Sequence, residues 1–425
     1  MKNSLLLATS PVSGVVHLGG SKSISNRVLL MAACANGISV IENIPLSNDV
    51  QACIAALGQL GVKVDYNKVT KVAVIHGCGG VFPNKNANVF CNEAGTLTRF
   101  IIALCAMQSS GVYHISAAQV MMDRPLKELL VELAKLGMKA DYCGVEHKLP
   151  MTIHGGKRNN VDLSVSGSRS SQFVSGLLMS LPLLNLDLSV SSITDHSQPY
   201  VDMTIKTMSD FGVNVKSINH TYYMCSGQSY KSKKIIVEPD VSTASYFWAA
   251  AAITGGTVIV KNVSDLTMQG DIEFLSVLKK MGCDINSADD GIAVTGPDVL
   301  NGVSVNMRNF SDTFMSVAVV ACFASNETLL TGLAHTKGQE SDRLQAMFEG
   351  LTNLGVFVKV DGDSIYIDPE RSNLRSATVD SYNDHRIAMS LALLGIHKSG
   401  VVINGAECVA KTCPDYFALM NDMIQ

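Results

Sequence analysis

Five times along the chain an amphipathic stretch runs into a glycine and then a short alternating segment. The copies read CIAALGQLGVKVD at Gly61, LLVELAKLGMKAD at Gly137, TMSDFGVNVK at Gly212, LSVLKKMGCDIN at Gly282 and MFEGLTNLGVFVKV at Gly355, at intervals of 76, 75, 70 and 73 residues. Apolar positions three or four apart before each glycine fit the buried face of a surface helix, and glycine accepts the left-handed backbone that ends it. Six further helix candidates alternate with these copies, at 26–35, 95–107, 170–181, 243–252, 312–323 and 385–394, starting 69 to 75 residues apart. Units repeated at a fixed period bury their apolar faces against one another, so the pattern predicts an α/β (α+β) protein of six related modules, most economically two globules of three. A length of 425 residues also exceeds what one core usually supports.

Polar turns introduce the six alternate helices. In GGSKSISNR, residues 19–27, Ser23 or Ser25 is expected to cap a helix with Lys22 and Arg27 near its positive end, a combination suited to phosphate. Alone, the segment reads equally as an ordinary capped helix. NEAGTLTRF, residues 92–100, offers Gly95 for close backbone approach, Thr96 as a cap and Arg99 one turn into an apolar helix. That arginine needs an anion, or a structural ion pair with Glu93 or Asp49. MMDRPLKELL puts Arg124 before a proline expected to start a helix, and GSRSSQF, residues 167–173, gathers serines and Gln172 as neutral donors. The C-terminal half adds Asp312, Glu340, Arg343, Asp384, His385, Arg386 and Lys411 in the same kind of position. Cations at helix starts, with one Asp and one Glu for proton transfer, suit transfer between small polyanions without naming them.

Composition removes other classes. A 47% hydrophobic and 16% charged chain folds rather than staying disordered, and a net charge of -4 without a Lys/Arg tract gives no nucleic-acid footprint. The longest apolar stretch, 313–324, is too short to span a bilayer, and the N-terminal apolar run is too short for a signal segment, so a cytoplasmic protein is expected. Eleven cysteines without a CxxC pair suggest neither disulfides nor a zinc knuckle, and no metal or cofactor is expected. GxGxxG is absent and GSKS lacks the spacing of an ATP-binding loop.

GGSKSISNR, NEAGTLTR, DRPLKELL, GSRSSQF, SQPYVDMT, DVSTASYFWAAA, MQGDI, MRNFSDTFMS, ESDRL, YNDHRIAM and AKTCPDYF occur in the order found in the 3-phosphoshikimate carboxyvinyltransferases, which the chain resembles from about residue 11 to 421. The resemblance implies six βαβαββ units in two globules of inside-out barrel-like architecture, one from residues 1–20 and 240–425 and the other from 21–239, with the active site in the cleft between them. It implies a monomer that moves the enolpyruvyl group of phosphoenolpyruvate to the 5-hydroxyl of shikimate 3-phosphate by addition and elimination. Position by position, Lys22, Ser23, Arg27, Ser170, Ser171, Gln172, Ser197, Tyr200, Asp312 and Gln339 would bind shikimate 3-phosphate. Lys22, Gly95, Arg124, Gln172, Arg343, Arg386 and Lys411 would hold phosphoenolpyruvate, and Asp312, Glu340 and Lys22 would be catalytic. Arg99 would belong to the architecture of the site.

The chain departs from this pattern in AHTKGQESDR, where His335 and Gln339 stand for the usual asparagine and lysine. Lys337 is the nearest substitute for the missing charge. Gly19 and Phe100 replace frequent prolines and are expected to change local stiffness rather than chemistry. A sister family acting on a nucleotide-linked amino sugar carries a reactive cysteine or aspartate in a mobile loop, and QSSGVYHISAAQVMMDRP has no such cysteine. A binding-only relative is the other alternative that the two replacements raise.

Overall fold

A computed structural model of the chain describes residues 1–166, 170–193, 198–288 and 290–424. Contacts divide it into two compact units, Met1–Gly19 with Glu238–Gln425, and Gly20–Val237. Among the described residues each unit holds three sheets, and the same construction recurs in them.

One module gives the plan. Strand Asn86–Phe90 leads through helix Gly95–Ala106 to a parallel strand, Val112–Ser116. Helix Lys127–Lys135 then leads to strands Lys139–Tyr142 and Met151–His154, the second of which pairs antiparallel with both Val112–Ser116 and its own hairpin partner. The strands thus lie in the order first, second, fourth, third, and this order recurs in the sheets that begin at Leu163–Val165 and Ser304–Asn306. Two modules take their first strand from a distant segment: Lys234–Ile236 pairs with Asn36–Glu42, and Gly14–Val16 with Thr257–Lys261. The last sheet is a three-stranded version completed by Lys2–Asn3, antiparallel to Val401–Asn404. The repeated βαβαββ reading is therefore borne out.

Two kinds of helix follow from two kinds of sequence. Helix Val241–Thr254, VSTASYFWAAAAIT, is apolar or small on every side and is buried continuously from Val241 to Ile253. Helix Arg343–Asn353 instead buries one stripe, including Leu344, Met347 and Leu351. The five repeat glycines have φ of 86°, 89°, 85°, 106° and 86° in chain order. Each follows one of the amphipathic helices and lies in the left-handed region, where a Cβ is costly.

Several local expectations need correction. The first of the six alternate helices is Lys22–Cys34, four residues earlier at its start than expected, and Ser21 caps it, accepting from the Ile24 amide at 3.5 Å. Ser21 lies outside the helix with an extended ψ of 125°, whereas Ser23 and Ser25 already lie within it, past the N-cap position. Helix Gly95–Ala106 has no side-chain cap, because Thr96 sits in its first turn. Pro125 precedes the N-cap Leu126 of Lys127–Lys135 rather than opening that helix. The 312–323 segment begins as a 3₁₀ turn, Arg308–Thr313, kinked at Phe310, and becomes α-helical only over Phe314–Ala321.

Candidate active site

In the unit built from Met1–Gly19 and Glu238–Gln425, the 3₁₀ turn leaves Asp312 at the approach to the buried Phe314–Ala321 helix. Arg343 Nη1 donates to its Oδ1 at 2.8 Å and Arg386 Nη2 to its Oδ2 at 2.9 Å. Arg343 begins its own helix. Asp384 caps the helix His385–Ala392, accepting from the Arg386 amide at 3.0 Å, and also accepts from Arg343 Nε at 2.8 Å. One guanidinium therefore joins an Asp at one helix start to an Asp at another. Burial opposes charge on both Arg343 and Asp384. Asp384 and Asp312 nevertheless hold the Arg343 pKa above its ordinary value, and Arg343 with His385 holds Asp384 below the usual carboxylate range.

Glu340 is the second centre. Lys411 Nζ lies 3.2 Å from Oε1, and His385 Nδ1 lies 2.8 Å from Oε2. Ligand atoms of Glu340, Asp384 and His385 come within 4.8 Å of one another, which makes them the candidate cation donors among the described residues. Lys411 and Arg343 already face these two carboxylates, so a dication would compete with both for the same oxygens. Beside Asp312 lies buried Asp271, which accepts from Ser242 Oγ. Burial, and then the charge of Asp312, push its carboxyl up to about 7.

His335 and Gln339, the departures in AHTKGQESDR, also fall in this unit. His335 Nε2 lies 2.7 Å from Ser311 Oγ, and burial holds the ring below its ordinary pKa, neutral at pH 7. Gln339 Oε1 accepts from Arg343 Nη1. Lys337 is exposed and donates to the Gly362 carbonyl at 3.0 Å, so its charge is spent elsewhere.

The unit Gly20–Val237 gathers the other cations. Lys22 Nζ lies 3.2 Å from Asp49 Oδ2, with both side chains largely buried. Arg27 is 1% exposed and donates to Thr204 Oγ1 at 2.8 Å, the Ser23 carbonyl at 2.9 Å and the Tyr200 carbonyl at 3.1 Å, with the Phe100 ring 5.3 Å from its Cζ. Phe100 thus supports a cation rather than only changing stiffness. Burial lowers Arg27 to about 10, still charged at neutral pH. Arg99 donates to the carbonyls of Gly95 and Pro125, at 2.9 and 3.1 Å. Burial and the neighbouring Arg124 lower it to about 9. Asp49, considered above as an Arg99 partner, serves Lys22 instead. At Gly95 a Cβ would stand 2.5 Å from Arg124 Nη1 and 2.9 Å from Arg99 Nη1, so glycine is what lets two guanidinium groups crowd this helix start. Gln172 Nε2 donates to Thr96 Oγ1 at 3.1 Å, and Ser170 caps the Gln172 helix by accepting its amide at 3.2 Å. Ser197, and residues 167–169 of GSRSSQF, lie outside the described residues.

This arrangement can hold small anions on paired cations and move protons at Asp312 and Glu340. The profile of EPSP synthase (3-phosphoshikimate 1-carboxyvinyltransferase) matches residues 7–420. The chain belongs to that family. A 3-phosphoshikimate 1-carboxyvinyltransferase of Trichormus variabilis is 37% identical over 416 residues, 97% of each chain. One of Pseudoalteromonas translucida is 38% identical over 423 residues, 99% of each. The solved EPSP synthase of Acinetobacter baumannii superposes with a TM-score of 0.85 at 24% identity, covering 99% of this chain and 98% of that one. The enolpyruvyl transferase NikO of Streptomyces tendae does so at 0.75 and 14%, covering 99% and 97%. At these identities the two structures speak for the fold alone.

Three residues that the sequence motifs did not single out meet side chains of the site in this member of the EPSP synthase family. Asp49 holds Lys22, Thr204 receives Arg27, and Asp271 stands beside Asp312. Asp49 and Thr204 sit on helices whose apolar spacing says only which face is buried. For Asp271 the available signal was an acid at the start of a helical segment, in MQGDI, a place where acids are common for capping alone.

Proposed function

We propose that Asp312, Glu340 and Lys22 carry the chemistry of an enolpyruvyl transfer from phosphoenolpyruvate to the 5-hydroxyl of shikimate 3-phosphate. The observation that carries this reading is the pairing of two carboxylates with different surroundings: Asp312 between Arg343 and Arg386, and Glu340 between Lys411 and His385. Both are available for proton transfer amid cations that suit a phosphate and a carboxylate.

In the addition step the 5-hydroxyl oxygen bonds to C2 of phosphoenolpyruvate. Asp312 accepts the hydroxyl proton, and a protonated Glu340 delivers a proton to C3, turning the methylene into a methyl group. In the elimination step C3 returns a proton to Glu340, the bond from C2 to the phosphate oxygen breaks, and the double bond re-forms. Phosphate leaves with a proton from Asp312, assisted by Lys22. Arg124, Gln172, Arg343, Arg386 and Lys411, with the open backbone at Gly95, hold phosphoenolpyruvate. Ser23, Arg27, Ser170, Ser171, Gln172, Ser197 and Tyr200 hold shikimate 3-phosphate together with Lys22 and Asp312, whereas Gln339, which the resemblance assigned to the same substrate, gives its side-chain oxygen to Arg343 Nη1. Because Arg27 already donates to three protein oxygens, it serves by fixing the Lys22 helix as much as by its remaining N–H groups. The protein acts as a cytoplasmic monomer in this reading, and light scattering checks its oligomeric state.

Turnover in deuterium oxide tests the mechanism. Product and recovered phosphoenolpyruvate are expected to carry deuterium on the methylene carbon, and Glu340→Gln is expected to slow product formation at least about 100-fold. Unlabelled product, or full activity in the glutamine variant, contradicts the assignment.

A further inference from the structure

We propose that Gln339 is a positioning residue whose side-chain carbonyl keeps the Arg343 guanidinium in place while Asp312 changes charge during the reaction. The proposal rests on the reading above, in which Arg343 holds phosphoenolpyruvate and Asp312 accepts a proton.

Arg343 is buried, and its edge formed by Nε and Nη2 faces Asp384 at 2.8 and 3.4 Å. Nη1 has two hydrogens and two acceptors, Asp312 Oδ1 and Gln339 Oε1. One acceptor is a carboxylate that the reaction protonates, and the other is a neutral amide that does not titrate. When Asp312 takes up the hydroxyl proton, its attraction for Nη1 falls, and Gln339 still holds that nitrogen. Gln339 also ends the 3₁₀ turn Ala334–Gly338, immediately before Glu340. The same hydrogen bond therefore ties the segment carrying Glu340 to the first residue of the helix Arg343–Asn353.

A lysine at this position cannot accept a hydrogen bond, and its ammonium would stand beside Arg343 in a network that already includes Arg386. The second departure supports the same logic. His335, on the same turn, is a neutral ring hydrogen-bonded to Ser311, the neighbour of Asp312. Gln339 thus contacts Arg343 itself and His335 contacts the residue before Asp312, and both do so through hydrogen bonds without charge.

Steady-state kinetics of Gln339→Met, Gln339→Lys and Gln339→Glu, with each substrate varied in turn, test the proposal. The methionine and lysine variants are expected to raise KM for phosphoenolpyruvate about 5- to 20-fold, with KM for shikimate 3-phosphate changed less than about twofold. A carboxylate at this position is not neutral but keeps the acceptor, so Q339E is expected to stay within about fivefold of the parent. All three should melt within a few degrees of it. Calorimetric binding of phosphoenolpyruvate without shikimate 3-phosphate, so that no turnover occurs, should give the same ranking and decides the matter independently of turnover. A loss that falls on shikimate 3-phosphate, or a lysine variant that binds phosphoenolpyruvate as well as the parent, overturns the proposal while leaving the transferase reading intact. Absence of turnover in the parent counts against that reading instead.

Discussion

Asp271 shows how one buried group couples the site to stability. Its carboxyl is held near 7, against about 4 in an unfolded chain, because burial and Asp312 disfavour its charge more than Arg386 favours it. Between these values the folded protein binds more protons than the unfolded one, so this residue makes stability fall as pH rises from about 4 to about 7. Above that range the loss is complete. Asp271→Asn stays neutral, retains an acceptor for Ser242, and is expected to remove a decline on the order of 2 kcal/mol between pH 5 and 8. Denaturant melts at the two pH values check this, and parallel pH slopes in parent and variant would contradict it. That the charged residues at the starts of the apolar helices would need partners was legible in the sequence. Pairing was not. Asp49 could have served Arg99 or Lys22 equally well on spacing, and only the packing of helix Asn48–Gln59 beside Lys22–Cys34 selects Lys22.

At the scale of elements, the repeat glycines were the firmest signal, because a left-handed residue after an amphipathic helix leaves little choice of side chain. They also separate two costs. At Gly282, with φ of 106°, a Cβ would meet its nearest atoms at 3.4 Å or more, so Gly282→Ala is expected to lose about 1–2 kcal/mol from backbone strain alone. At Gly355, with φ of 86°, the Cβ would stand 2.1 Å from the Asn373 carbonyl oxygen. Gly355→Ala should therefore lose distinctly more, and equal losses in urea melts would contradict this account. Helix starts were less legible. Three serines within GSKSIS can cap, and the choice of Ser21 depends on where the strand segment before it ends. The Asp312 segment hid its 3₁₀ turn because MRNFSDTFMS has the same polar-to-apolar sequence as an ordinary cap.

For the whole molecule, the six-module plan was readable from period alone, but the closing strands were not. Nothing in KII, GVV or KN says that these short pieces complete sheets begun more than a hundred residues away, and strand pairing of that kind is decided by tertiary fit. The chain therefore folds as two units in which Met1–Gly19 is an integral part of one, supplying buried Leu5, Val12, Val16 and Leu18 to its core. The central claim remains chemical: this chain, with glutamine at 339, is an active enolpyruvyl transferase. The most direct test is phosphate release from phosphoenolpyruvate by the purified protein, with and without shikimate 3-phosphate. The account predicts release that requires shikimate 3-phosphate and is abolished in Asp312→Ala and Glu340→Ala, whereas no release by the correctly folded protein at high concentration would contradict it.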